Sequence, residues 1–207
     1  MPSPPDILEV IVVDDGSTDG TASAAERASA RIVPLDYNHG KAQALEAGVR
    51  AARHDIILFM DADVTGQTTE SLSRIMRPVI DGRFEMYVGL RARKTIWLNR
   101  LLRLFPIIGG ERAVTRRLWD AVPCKHRKRF QIEIALNNTA KQFERGMGFE
   151  LVTGTVHRVK ERKYGIALGL LRRIRMMADI LAISIRLYIL GTIARSAASL
   201  VKGAKGI

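Results

Sequence analysis

Asp61 and Asp63 stand one residue apart at the end of the apolar run Ile56-Ile57-Leu58-Phe59-Met60. Two carboxylates so placed form a hard, oxygen-rich site suited to Mg²⁺ or Mn²⁺ carrying a phosphorylated ligand. A second acid pair, Asp14-Asp15, ends the run Val10-Ile11-Val12-Val13 and leads into Gly16-Ser17-Thr18-Asp19-Gly20. Lys41 follows Asn38-His39-Gly40 at the head of an alanine-rich stretch. A helix start does not favour a cation, but it does favour a phosphate that a lysine could share. Each motif also has an ordinary reading, as a solvated acidic turn or a surface lysine. Their order along the chain is what gives them weight.

The elements that must position these groups follow from the same stretches. Ile56–Met60 is continuously apolar, as a parallel strand buried on both faces should be. In open α/β sheets the ligand sits beyond the carboxyl ends of such strands. Val10–Val13 repeats this grammar as a β-branched run, and Ser17, Thr18 and Asp19 are N-cap residue types that predict a helix over Ala22–Ala30. The glycine turn at Gly40 opens a further alanine-rich helix, and Tyr87-Val88-Gly89 reads as a strand end ahead of Arg91 and Arg93.

The segments DDGSTDGT, NHGKAQALEAG and DIILFMDAD, in that order, resemble the nucleotide-binding half of the family 2 glycosyltransferases with the GT-A fold. The resemblance continues through Gly109-Gly110-Glu111-Arg112-Ala113, similar to the family's glycine-arginine acceptor loop, and Phe130–Leu136, similar to its acidic helix. It ends at Thr155–Lys160, similar to a late strand that carries a histidine, and so covers about residues 9–165. It is best to members acting on lipid-phosphate or small phosphorylated acceptors, such as polyprenyl-phosphate and dolichyl-phosphate sugar synthases and glucosyl-3-phosphoglycerate synthase-like proteins. Family members open with a strand ending in a Pro-x-(Tyr/Phe)-Asn-Glu type motif, then a helix. Here Met1-Pro2-Ser3-Pro4-Pro5-Asp6 leads straight into the second unit. The expected fold is therefore an α/β GT-A domain, a Rossmann-like mixed sheet flanked by helices, N-terminally truncated and lacking one strand inside the sheet.

The resemblance implies a donor site for a UDP- or GDP-sugar whose diphosphate is neutralised by a divalent cation. Asp63 is the expected direct metal ligand, Asp61 a ligand through water or the ribose, and His157 the residue completing the shell. Asp15 is expected to meet the base or ribose, with Asp14 as the alternative, and Lys41 to meet the nucleotide. Glu133 is the candidate general base. For a phosphate acceptor, already largely ionised near neutral pH, it would instead position the acceptor or its counter-cation. Gly110 and Arg112 are expected to hold an acceptor phosphate, with Arg91 and Arg93 sharing it or the donor diphosphate.

The chain of 207 residues has a net charge of +12, unevenly placed. Residues 1–90 hold 8 Lys and Arg against 14 Asp and Glu, a balance of −6, and the rest hold 25 against 7, a balance of +18. The basic half needs an anionic partner. Aromatic content is only 6% and no nucleic-acid module signature is present, which disfavours nucleic acid. The run Lys125–Arg129 reads as a solvated or membrane-facing loop. Residues 166–207 divide from a domain over 1–165 as basic amphipathic helices, suited to an anionic membrane interface, to the protein's own core, or to a second copy in a homo-oligomer. A second amphipathic stretch over Ile96–Phe105 would add an anchor. A lone Cys124 fits a reducing compartment, and no cationic-then-apolar leader precedes it, so the expected location is cytoplasmic, peripheral on the inner face of the cell membrane. Two other functional classes stay open on sequence: a glycosyltransferase remnant that binds membrane or partner without catalysis, and a nucleotidyltransferase. The latter lacks a glycine-rich loop bearing arginine and lysine.

Overall fold

The computed structural model describes residues 7–91, 111–127, 131–152 and 156–157. Arg93, Gly110, Ile96–Phe105 and residues 166–207 lie outside them. The first unit is β1 (Ile11–Asp15), α1 (Thr21–Arg27) and β2 (Arg31–Leu35), and its two strands pair in parallel with Ile11 beside Arg31 and Asp15 beside Leu35. α1 is shorter than the sequence predicts. It starts at Gly20 without a side-chain cap, and Ser29, in a left-handed conformation with φ 56°, follows its end. Asp19 instead accepts from the Thr21 N–H and hydroxyl just inside the helix.

α2 (Lys41–Ala51) packs on β1 and β2 and leads into β3 (Ile56–Phe59). Its C-terminal carbonyls are held by Arg116, which donates to Val49, Ala52 and His54 oxygens at 3.0, 2.7 and 3.0 Å. That satisfies acceptors a helix end leaves open. β4 (Val64–Thr65) and α3 (Thr69–Ile80) follow, and a reciprocal capping box between Thr68 and Ser71 starts α3.

The main sheet has the order β3–β6–β5–β7, with β5 (Met86–Arg91), β6 (Glu111–Thr115) and β7 (Met147–Val152). β6 runs antiparallel to β3 and β5, while β7 is parallel to β5. α3 lies on this sheet, burying Ile75, Met76 and Val79 against Ala113 and Val152. The approach at β5 is close: a Cβ on Gly89 would stand 2.6 Å from Ile75 Cδ1. α4 (Arg116–Ala121) and α5 (Gln131–Ala140) bring Leu118, Trp119, Ile132, Ile134 and Leu136 into the core.

Two strands differ from their predicted burial. Ile56, Ile57 and Leu58 of β3 are only half-buried, and so is every residue of β1. β3 pairs with β6 on one edge and β1 with β2 on one edge, and no ladder joins β1 to β3. Among the described residues the β1–β2 pair and the four-stranded sheet are separate.

Candidate functional site

Lys41 lies where three elements meet. As the first residue of α2 it extends its Nζ to 2.9 Å from Asp61 Oδ1, just past β3, and to 2.8 Å from Glu133 Oε1 in the first turn of α5. Burial works against the charge, but the Glu133 and Asp61 carboxylates outweigh it and raise the ammonium above the ordinary lysine value. Asp15 sets this geometry from the other side. Its Oδ1 accepts the His39 N–H at 2.7 Å and its Oδ2 the Gly40 N–H at 2.9 Å, fixing the turn that aims α2. Gly40 there has φ +88°, a conformation that suits glycine.

Asp14 turns back to accept the Ser17 N–H at 3.0 Å. Between these acids and the following helix, Gly16 is required twice over. Its φ is +72°, and a Cβ would stand 2.7 Å from the Tyr37 carbonyl carbon. Tyr37 itself is exposed and stacks on His39 at 3.9 Å between ring centroids.

Arg112 corrects one expectation. It sits in the middle of the sheet on β6, with its side chain 3% exposed, instead of on an open glycine loop. Its Nη2 is 3.5 Å from Glu133 Oε2, and its Nη1 lies 3.5 Å from both the Glu133 carbonyl and Asn137 Oδ1. Burial pushes this guanidinium below the ordinary arginine value, opposed by Glu133, Asp61 and Glu111. Glu133 is correspondingly no solvated helix carboxylate. It is 8% exposed, and its partners come from α2 and β6, not from its own helix. Asn137, one turn along α5, was not foreseen, although its four-residue spacing from Glu133 was a usable signal.

Asp63 lies in the turn between β3 and β4, and β4 pairs antiparallel with β8 (Val156–His157), setting His157 opposite Val64. The backbone thus brings the predicted imidazole position alongside the residue that follows Asp63. Among the described residues no three His, Cys, Asp or Glu side chains gather as a ready-made metal cage. Mg²⁺ seldom uses one, since one or two carboxylates plus substrate phosphates suffice. Arg91 ends β5 opposite Val152, on the backbone alone, and Arg93 and Gly110 belong to the segment outside the described residues.

Of the basic run, Lys125 is exposed as read from the sequence, residues 128–129 lie outside the described residues, and Arg127 differs, its side chain being mostly buried and engaged. It donates to Glu46 at 2.9 Å and to the Val122, Trp119 and Asp120 carbonyls, and lies over the Trp119 ring at 5.5 Å.

The chain is 28% identical over 193 residues to the undecaprenyl-phosphate 4-deoxy-4-formamido-L-arabinose transferase of Aeromonas hydrophila, covering 83% of this chain and 56% of the relative. Over 70 residues, 31% of this chain and 21% of the relative, it is 43% identical to the dodecaprenyl-phosphate galacturonate synthase of Rhizobium johnstonii. It spans about half the length of the first of these curated relatives, or less. In fold it is similar to glucosyl-3-phosphoglycerate synthase from Mycobacterium tuberculosis, solved in complex with Mn²⁺, UDP-glucose and phosphoglyceric acid. The TM-score is 0.66 at 22% identity, covering 87% of this chain and 68% of that one. The family model for glycosyl transferase family 2 matches residues 3–132, well over half of the chain, and the chain belongs to that family.

Proposed function

We propose that the protein transfers a sugar from a nucleotide-sugar donor to a phosphorylated acceptor, with a polyprenyl phosphate as the favoured acceptor class, in a reaction that requires Mg²⁺ or Mn²⁺. The observation that carries this reading is the ammonium of Lys41 held between Asp61 and Glu133. It joins a donor-side carboxylate at a strand end to an acceptor-side carboxylate on a helix. The named activities of the relatives from Aeromonas hydrophila and Rhizobium johnstonii support the acceptor class, and the Mn²⁺ and UDP-glucose of the structural neighbour support the donor and metal.

In this reading Asp63 would hold the cation, His157 of β8 would complete the shell, and Asp61 would meet it through water or the ribose. Such a cation neutralises the diphosphate leaving group when bound. Asp15 orders the turn beneath the nucleotide, with Asp14 beside it, and Lys41 swings from its carboxylates to the donor phosphates. A phosphate monoester acceptor needs little or no proton removal near neutral pH. Glu133 therefore acts by holding Lys41 and Arg112 toward the acceptor, and Arg112 supplies fixed positive charge from within the sheet. Arg91, Arg93 and Gly110 would complete the phosphate contacts.

The basic stretch beyond residue 165 would carry the chain to an anionic membrane surface, where such lipids reside. Among the described residues no helix is long and apolar enough to cross a membrane. The test is a transfer assay with radiolabelled UDP- and GDP-sugars, Mn²⁺, and either polyprenyl phosphate in mixed micelles or 3-phosphoglycerate in solution. Label in the organic phase, dependent on polyprenyl phosphate and lost with EDTA, is the expected result. Label appearing only on phosphoglycerate would reassign the acceptor. No transfer from any donor by folded protein would refute the reaction.

A further inference from the structure

The Lys41 ammonium is held where its own helix does not favour it. Lys41 is the first residue of α2, and the partial positive charge at a helix start opposes a cation. Two carboxylates hold it there, Asp61 at 2.9 Å and Glu133 at 2.8 Å. The backbone just ahead of it is fixed as well, because Asp15 accepts the N–H groups of His39 and Gly40. Glu133 is anchored in turn, its Oε2 lying 3.5 Å from Arg112 Nη2. The side chains of Lys41, Asp61 and Glu133 are 33%, 27% and 11% exposed. Ion pairs partly out of water in this way are screened less than those on an open surface.

Charge is balanced across these four groups. Lys41 and Arg112 bring two positive charges, and Asp61 and Glu133 bring two negative ones. A bare divalent cation approaching Asp61 therefore meets no net charge among them. It also meets an ammonium already seated on the Asp61 Oδ1. That ammonium is tethered, so it returns as an intramolecular partner with which a dissolved ion must compete. A nucleotide diphosphate changes both sides of this contest. Its oxygens add to the one or two carboxylates with which Mg²⁺ is usually held. It also offers Lys41 a phosphate at a helix end that favours anions.

On the reading of a metal-dependent donor site, we propose that Lys41 is an internal counter-cation that reserves Asp61 until nucleotide arrives. The divalent cation enters with the nucleotide phosphates and not ahead of them, and Lys41 leaves Asp61 for a phosphate oxygen as it does so. A neutral residue at position 41 thus has two opposite effects. It weakens the nucleotide and strengthens the bare cation.

The test follows Mn²⁺ uptake by the 207-residue chain from loss of the free-ion electron paramagnetic resonance signal, without nucleotide and with saturating UDP. Wild type is compared with Lys41→Met, Lys41→Gln and Lys41→Arg, each first checked for a native circular dichroism spectrum. In wild type, UDP should tighten Mn²⁺ binding at least about tenfold, within the usual range of coupling between ligands. Without UDP, the two neutral variants should bind Mn²⁺ at least about tenfold more tightly than wild type, while Lys41→Arg stays close to it. Adding Asp61→Asn to Lys41→Met should abolish that gain, which a general change of surface charge does not predict. Equal nucleotide-free binding in wild type and both neutral variants, or a gain that survives Asp61→Asn, would overturn the proposal. Either result beside Mn²⁺-dependent UDP binding by wild type leaves the proposed transfer reaction standing. UDP that fails to bind wild type at all would remove the donor site, and this proposal with it.

Discussion

Lys41 is the residue on which the proposed donor and acceptor sides depend together, and its replacement separates charge from fold. Lys41→Met should weaken nucleotide-sugar affinity about tenfold or more, as loss of a charge-assisted contact to phosphate does, while Lys41→Arg recovers part of it; titration of both variants by calorimetry checks this. The folded-state value of Lys41 is raised above 10.5. The stability it contributes is therefore fully present below 10.5 and is lost as pH rises through the higher folded value. The difference in melting temperature between wild type and Lys41→Met should hold steady from neutral pH to 10.5 and shrink above it. Glu133→Gln, assayed on a phosphate acceptor, should lower kcat by no more than about tenfold, because a general base would cost about 10²–10⁴. A loss in that larger range would restore proton abstraction as the role of Glu133. The acids and Lys41 were legible in the sequence because each closes a strand or opens a helix. The burial of Arg112 was not, since two preceding glycines look the same ahead of a loop or a central strand. Nor was the pairing of Lys41 with Glu133, which are 92 positions apart and meet only once α5 is packed.

At the scale of elements, two arginines join helices that sequence patterns treat separately. Arg116 gathers the carbonyl ends of α2, and Arg127 ties Glu46 of α2 to the end of α4 and the face of Trp119. Arg127→Ala leaves these acceptors without their charged donor and removes the guanidinium from the ring. It should cost about 2 kcal/mol, which for a chain of this size is a fall of about 4–8 °C in Tm. Thermal unfolding of the variant beside Lys125→Ala, at an exposed neighbour, is the comparison to make, and an equal fall in both would contradict the assignment. Strand and helix types were readable from β-branched runs and alanine-rich stretches. A run of five residues containing four cations and a histidine reads as solvated because nothing local says that one of them will find an aromatic face and three carbonyls. The half-burial of β1 and β3 escaped for a related reason. Apolar continuity records what a strand is suited to touch, and how far it is covered depends on which elements the fold packs beside it.

Across the whole molecule the charge is divided, with the acids of the proposed donor site in a half of balance −6 and the remainder at +18. Such a division steers the basic half toward anionic surfaces over distances set by ionic strength. The 207-residue chain should sediment with vesicles containing phosphatidylserine, release as salt rises, and lose the interaction when residues 166–207 are deleted; unchanged sedimentation of the deletion would move the contact elsewhere. Calorimetric titration of UDP- and GDP-sugars into the full chain, with Mn²⁺, with EDTA, and with Asp63→Ala, addresses the donor site directly. Saturable binding with Mn²⁺ that disappears both with EDTA and in the variant is the expected result. Absence of binding at millimolar ligand by folded protein, or binding indifferent to metal and to Asp63, would contradict a metal-dependent nucleotide-sugar site.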